Sequence, residues 1–346
     1  MKELVTWLVA LVGLTGPGPA AAPERPVRLT VAATGDLLIH TPVAQRALVL
    51  GGGSRYDFAP LFAPVRRRIA RADLALCHVE TPLVPGPVQG YPSFRTPPDL
   101  ARSIRRVGWD ACSTASNHSL DAGEHGVATT LRALRGAGVK ATGTARSARA
   151  RRRTTMLRVK GVRVAFLSYT AVSNGQAVPH PWTVNWASPR LVLADARRAR
   201  RRGARLVIVN LHWGAEYVHA VTPAQRALAR RLTRSPAIDA IVGQHAHVVQ
   251  PIRRVRGKPV VFGEGNLISN QTAGCCAAGA QDGLIALIDF VAWPGRRVRA
   301  RRIRYVPTWV RHPDYTVLPA APGSPSWNRT VSVAGRRRGV APAKPR

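Results

Sequence analysis

The stretch ARLVIVNLHWG, residues 204–214, decides how the rest of the chain is read. From Leu206 to Val209 it is continuously apolar and rich in β-branched residues, the pattern of a strand buried on both faces. The run then gives way to His212, Trp213 and Gly214. Upstream, SPRLVLADARRARRRG reads as a helix with basic residues along one face. Downstream, TPAQRALARRLTRS opens with a Thr cap and a proline and reads as another helix. A buried strand between two helices is the repeating unit of an α/β fold.

The same alternation runs along the chain. VRLTVAATG (27–35), DLALCHVE (73–80), WDACSTAS (109–116), AIDAIVGQHAH and KPVVFGEGNLI read as buried strands, and VKATGT as a short one. APLFAPVRRRIARA, PPDLARSIRRVG and GVATTLRALRGAG read as helices. Residues 156–170 divide at Lys160-Gly161 into a hairpin, and a late hairpin turns at Pro294-Gly295. These two hairpins are expected to add antiparallel strands at the sheet edges. The reading is one α/β domain over residues 27–318, with a signal segment at 1–22 and a flexible basic tail at 319–346. No repeat of 20–50 residues is present.

The signal reading rests on an early Lys2, an apolar stretch from Leu4 to Leu14, and Ala20-Ala21-Ala22 before Pro23. Eleven apolar residues are short for a membrane span, so the expectation is an exported, extracytoplasmic or envelope-associated protein. Export permits disulfides among Cys77, Cys112, Cys275 and Cys276, with the pairing left open. No CxxC spacing supports a zinc knuckle.

Composition narrows the partners. The 346 residues include 52 basic and 17 acidic side chains, a formal charge of +35, and only five of the basic residues are lysines. Such a surface suits an acidic envelope or capsule polymer and peripheral contact with an anionic membrane; coding bias towards Arg, Ala, Gly and Pro accounts for it equally well. No zinc finger, recognition helix or aromatic RNA motif points to a specific nucleic acid.

Chemistry collects at the strand ends. The first strand ends in Gly35-Asp36 with His40 beyond, the second in His78-Val79-Glu80, the third in Asn117, His118 and Asp121. The fourth ends in His212 with Glu216 beyond, the next in His245 and His247, and the last in Glu264 and Asn266. In α/β sheets, ligands bind at the carboxyl ends of strands. Carboxylates, an amide oxygen and neutral imidazoles are the donors one or two divalent ions need, with Mn, Fe and Zn all admitted. His245 and His247 alternate after a buried strand, which aims both rings to one side. A His beside a ligand can protonate a leaving group, and Asp121 suits a hydrogen bond that orients it. Singly, each has a plainer reading: Asp36 as a helix cap, His118 as a loop histidine, His212 as packing on Trp213.

In order, GDLLIH, HVETPL, SNHSLDAG, LHWGAEY, GQHAHVVQP and GEGNLISN resemble the CapA family of capsule-synthesis (poly-γ-glutamate capsule biosynthesis) proteins, over about residues 29–310. That family is similar to calcineurin-like metallophosphoesterases. The resemblance therefore implies a two-sheet αββα sandwich with mixed sheets. It implies Asp36 as the first metal-binding acid, Glu80 as the bridging acid, Asn117, His212, His245 and His247 as ligands, and His118 as the acid. Leu38 stands where the superfamily has a His two residues after the aspartate, and His40, further on, completes the expected ligand set. Glu80 stands where the superfamily has an Asp. The implied activity is metal-dependent hydrolysis or transfer on a phosphoester or γ-glutamyl amide; the alternative is a non-catalytic component that binds polyanion during capsule assembly.

Overall fold

The computed structural model describes residues 25–343; the expected signal segment lies outside them. Four strands, β1 (Val27–Leu37), β2 (Leu74–Val79), β3 (Ala111–Ser113) and β4 (Lys140–Thr142), begin a first sheet. Six form a second: β5 (Thr155–Val159), β6 (Val162–Thr170), β7 (Leu206–His212), β8 (Ala240–Gln244), β9 (Ile252–Val255) and β10 (Lys258–Val261). The chain then returns to the first sheet with β11 (Asn266–Ile268), β12 (Asp282–Ala292), β13 (Arg299–Arg311), β14 (Thr316–Pro319) and β15 (Val340–Pro342). The helices are α1 (Thr41–Leu50), α2 (Ala63–Ala70), α3 (Asp99–Val107), α4 (Gly123–Gly136), α5 (Ala148–Arg151), α6 (Pro189–Arg201), α7 (Pro223–Arg234) and α8 (Pro325–Ala334).

The first sheet runs β14-β13-β12-β1-β2-β3-β4, with β11 on β1 and β15 on β13; the second runs β5-β6-β7-β8-β10-β9. Both mix parallel and antiparallel pairs. Period-2 alternation sorts each strand into two faces. Leu29, Val31, Leu74, Leu76, Val164, Phe166, Leu206 and Ile208 fill the space between the sheets. The opposite faces pack on helices: Ala75, Cys77 and Val79 with Val43, Val65 and Ile104 on one side, Val207, Val209 and Leu211 with Val192, Ala196 and Leu232 on the other. Four layers in the order α, β, β, α result, as the motif order implied.

Local chemistry explains the individual elements. Helix α7 starts with a capping box, Thr222 and Gln225 exchanging side-chain and backbone hydrogen bonds behind Pro223. The Lys160-Gly161 turn places both residues at positive φ, the hairpin geometry that suits right-twisted strands. Cys77 and Cys112, register partners on β2 and β3, are joined by a disulfide, as are the adjacent Cys275 and Cys276.

Three expectations need correction. KPVVFGEGNLI is not one strand: β10 belongs to the second sheet and β11 to the first, with Gly265 at φ +68 between them. The late hairpin does not end at an edge, because β12 pairs with β1 along most of its length. The stretch after residue 318 is not loose. Its Pro and Gly content disguised α8, whose Val331 and Ala334 pack against the core, and β15, which pairs with β13. Helix α1, hidden behind its short apolar stripe, was also unforeseen.

Candidate metal centre

The inward rows of the central strands change character near their carboxyl ends. On β2 the row Leu74, Leu76 continues as His78 and Glu80; on β7 Leu206 and Ile208 continue as Asn210 and His212. Strand β1 reaches the same result by a detour. Ala33 faces the inter-sheet core, so strict alternation would send Asp36 to the helix side. The β1–β2 register slips between Ala33 and Asp36, and Leu37 takes the helix side instead. Such a slip re-aims a side chain. It needs a glycine: a Cβ on Gly35 would lie 1.9 Å from the Gly265 carbonyl oxygen.

Six side chains from both sheets thereby meet across the seam, and a loop acid joins them. Their potential ligand atoms form three overlapping groups, each within 4.8 Å: Asp36, His78 and His212; Asp36, Glu80 and His247; Glu216, His245 and His247. All but Glu216 are buried. His245 and His247 hold φ of +90 and +54, strained for side-chain-bearing residues and typical of over-determined functional turns.

The donors face one another without hydrogen-bond partners. Asp36 Oδ1, both Glu80 carboxylate oxygens, His78 Nε2, His212 Nδ1 and His245 Nδ1 are buried and unpaired. His78 shows why. Its Nδ1 donates to Ser113 Oγ at 2.7 Å, which in turn donates to the Cys77 carbonyl at 3.2 Å. Neutral His78 therefore presents a bare Nε2, and 3.8 Å away stands Asp36 Oδ1, another acceptor. Buried unpaired acceptors cost free energy unless a cation lies among them. This donor set fits a divalent ion, and the sharing of Asp36 and His247 between groups suits two.

The electrostatics agree. Burial among neighbouring imidazoles holds His78 down to about 4 and His245 to about 3, and His212 well below its ordinary value. Neutral imidazoles are the form that ligates metal. Burial pushes Glu80 well above the carboxylate range, and Glu264 up to about 8. Burial also acts downward on His247, but facing Glu80 and Asp36 outweighs it and holds the ring up at about 10. Without an ion, the cluster retains protons as its positive charge.

Around this set, other side chains fix orientation. His247 Nδ1 faces Asn266 Oδ1 at 3.0 Å and Asp36 Oδ2 at 3.2 Å, which leaves Nε2 towards Glu80, 3.6 Å from Oε1. His212 Nε2 donates to Asn117 Oδ1 at 2.7 Å. His118 Nδ1 donates to Asp121 Oδ2 at 2.7 Å, and Asp121 also accepts from the Phe94 amide and Gln176. Asn174 accepts from the Asn117 amide.

Of the residues expected from sequence, Asp36, Glu80, His212, His245 and His247 come together, with Asn117 on His212 and the His118–Asp121 pair beside it. His40 does not join. It sits edge-on to Phe94, and its Nδ1 accepts from the Asn270 amide at 3.2 Å. His78 takes a place in the cluster that its motif did not assign; its i, i+2 spacing from Glu80 carried that signal, since both share one strand face. Asn174 and Gln176 come from a loop with no local pattern to mark them.

Bacterial capsule synthesis protein PGA_cap is the family whose sequence pattern matches residues 30–271. A probable polyglutamine synthesis accessory protein of Mycobacterium tuberculosis is 31% identical over 191 residues, covering 51% of this chain and 50% of that protein. Capsule biosynthesis protein CapA of Bacillus anthracis is 25% identical over 255 residues, covering 70% of this chain and 60% of that one. The chain thus spans about half the length of the first of these relatives and three fifths of the second. Among solved structures, a phosphatase from Mycoplasma pneumoniae superposes with a TM-score of 0.50 at 11% identity, over 84% of this chain and 97% of that one. Likeness at that identity concerns the fold.

Proposed function

The chain belongs to the bacterial capsule synthesis protein family, and from that premise we propose a metal-dependent hydrolase or transferase acting on an anionic capsule or cell-wall polymer outside the cytoplasm. The bond attacked is a phosphoester or a γ-glutamyl amide. One observation carries this reading: buried, unpaired carboxylate and imidazole acceptors from both sheets converge at the carboxyl ends of the strands.

Asp36, Glu80, His78, His212, His245 and His247 would hold the metal, with Glu216 at the exposed rim. A divalent ion in such a site supplies Lewis acidity and a nucleophilic water near neutral pH. The chain's own part is positional. Ser113 and Asn266 fix the tautomers of His78 and His247. Asp121 fixes the His118 ring through Nδ1, leaving Nε2 to carry a proton to the leaving group. Asn174 and Gln176 hold this pair from the far side.

Elemental analysis of protein equilibrated with Mn, Fe or Zn is the direct test, followed by a screen of phosphoesters and γ-glutamyl amides in the retained metal. Metal should be lost, and turnover with it, in Asp36→Ala combined with His247→Ala. Protein that retains no divalent metal, with activity indifferent to both substitutions, would sink the reading. A second reading, a non-catalytic polyanion-binding component of capsule assembly, is motivated by the +35 charge. Salt-sensitive polyglutamate binding by a metal-loaded protein inert in the screen would favour it.

A further inference from the structure

The amino ends of the same strands carry a different surface. β1 begins at Val27, whose register partner is Ala292, the last residue of β12. The chain therefore enters the fold beside the β12–β13 turn, residues 293–298. Trp293, 46% exposed, opens that turn, and the exposed Arg296 and Arg297 follow. The turn is pinned from below: Arg205 donates to the carbonyls of Trp293 and Arg296, and Arg297 to that of Pro236. Exposed Arg28, Arg163, Arg202, Arg256, Arg299 and Arg301 stand at or near the same end. Among the described residues its acids are engaged, Asp73 by Lys160 at 2.7 Å, Asp110 by Arg105 at 3.9 Å, Asp239 by Arg200, and Asp289 by Arg302 and Arg304.

We propose that this end docks on an anionic phospholipid surface, with Trp293 at headgroup depth and the metal centre facing away. Asp36 lies nine residues along β1 from Val27, a rise of about 30 Å. Arginines near an anionic leaflet each add attraction, and an indole favours the membrane–water boundary. A soluble polyanion would satisfy the arginines but give Trp293 nothing. A lipid surface is the occupant that accommodates both the arginines and the indole at this end. The inference does not depend on the metal reading, whose residues lie at the other end.

Flotation of the full chain with phosphatidylcholine vesicles, with and without phosphatidylglycerol, tests it. Anionic vesicles should bind roughly tenfold more tightly than neutral ones, with the gain lost at high salt. Arg296→Glu with Arg297→Glu should lower anionic binding by roughly tenfold or more, and Trp293→Ser should weaken it several-fold. Arg146→Glu with Arg149→Glu, an equal charge change on exposed positions just past the carboxyl end of β4, should leave it near the parent level. Circular dichroism melting establishes which variants fold, and Trp293→Ser decides if the double variant does not. Parental binding by the turn variants, or equal weakening by both double variants, would overturn the proposal. So would tighter binding of soluble polyglutamate through Arg296 and Arg297, which would make this a polymer site.

Discussion

The two ends of the strands are built from opposite materials. At the carboxyl ends, acids and imidazoles are buried and face one another with unpaired atoms. At the amino ends, arginines are exposed, and some, such as Arg205 and Arg297, also hold backbone carbonyls. The same sheets thus carry a few desolvated groups at one pole and many solvated ones at the other. A charge in water interacts weakly with its neighbours, whereas a buried acceptor without a partner dominates its surroundings. The +35 total, though the most conspicuous number in the composition, is therefore mute about the candidate reaction centre.

Substitutions at the two poles should differ accordingly. The largest effect is expected from Gly35→Ala. Its methyl group would meet backbone, not a movable side chain, so a loss on the order of 4 kcal/mol is expected by urea denaturation. A mild phenotype would mean the seam between the sheets is looser than described. Next comes Asn266→Ala, which removes one of the two oxygens facing His247 Nδ1 and leaves only Asp36; outer partners of this kind are worth about 10–100-fold in metal affinity, measurable by competition with a chelator. Unchanged affinity would remove Asn266 from the orienting set.

A third contrast is in pH. Protonation of His78 and His245 is displaced from 6.5 to about 4 and about 3 by burial. The unfolded chain takes these protons first, so their contribution to stability is complete above 6.5 and is lost as pH falls towards 3. Glu264, held up to about 8, acts in the other sense: its contribution is complete below 4.5 and is lost as pH rises to about 8. Urea midpoints of chelator-treated protein from pH 3 to 9 should fall on both flanks. A midpoint flat below 6.5 would contradict neutral imidazoles at this pole. The smallest effect is expected at the other pole, where Arg304→Ala breaks a partly exposed pair with Asp289 and should cost under about 1 kcal/mol.

Strand identities were largely legible because a strand buried on both faces writes a continuous apolar run, and the run through Leu206–Val209 left little choice. The carboxyl-end rule then gathered Asp36, Glu80, His212, His245 and His247 before any geometry was known. Sequence was silent where parity or backbone path decides. Nothing local to Thr34-Gly35 reports that β1 and β2 slip register there, and KPVVFGEGNLI has no apolar gap to say that its two halves serve different sheets. Leu38 in place of a metal-site histidine drew attention to His40, while the useful ring, His78, came from the neighbouring strand through pairing with Asp36. After residue 318, proline and glycine mark turns between ordered elements, a composition that by itself implies a flexible tail.

The passage from β10 to β11 has a mechanical meaning. Here the chain steps back from the second sheet to the first, and Gly35, Gly243 and Gly265 let three backbones touch, since a Cβ at each would fall within 2.5 Å of a carbonyl oxygen. Main-chain contacts have no rotamer to adjust, so backbone sets the separation of the sheets beside Asp36 and His245, and the candidate metal centre inherits its spacing from it.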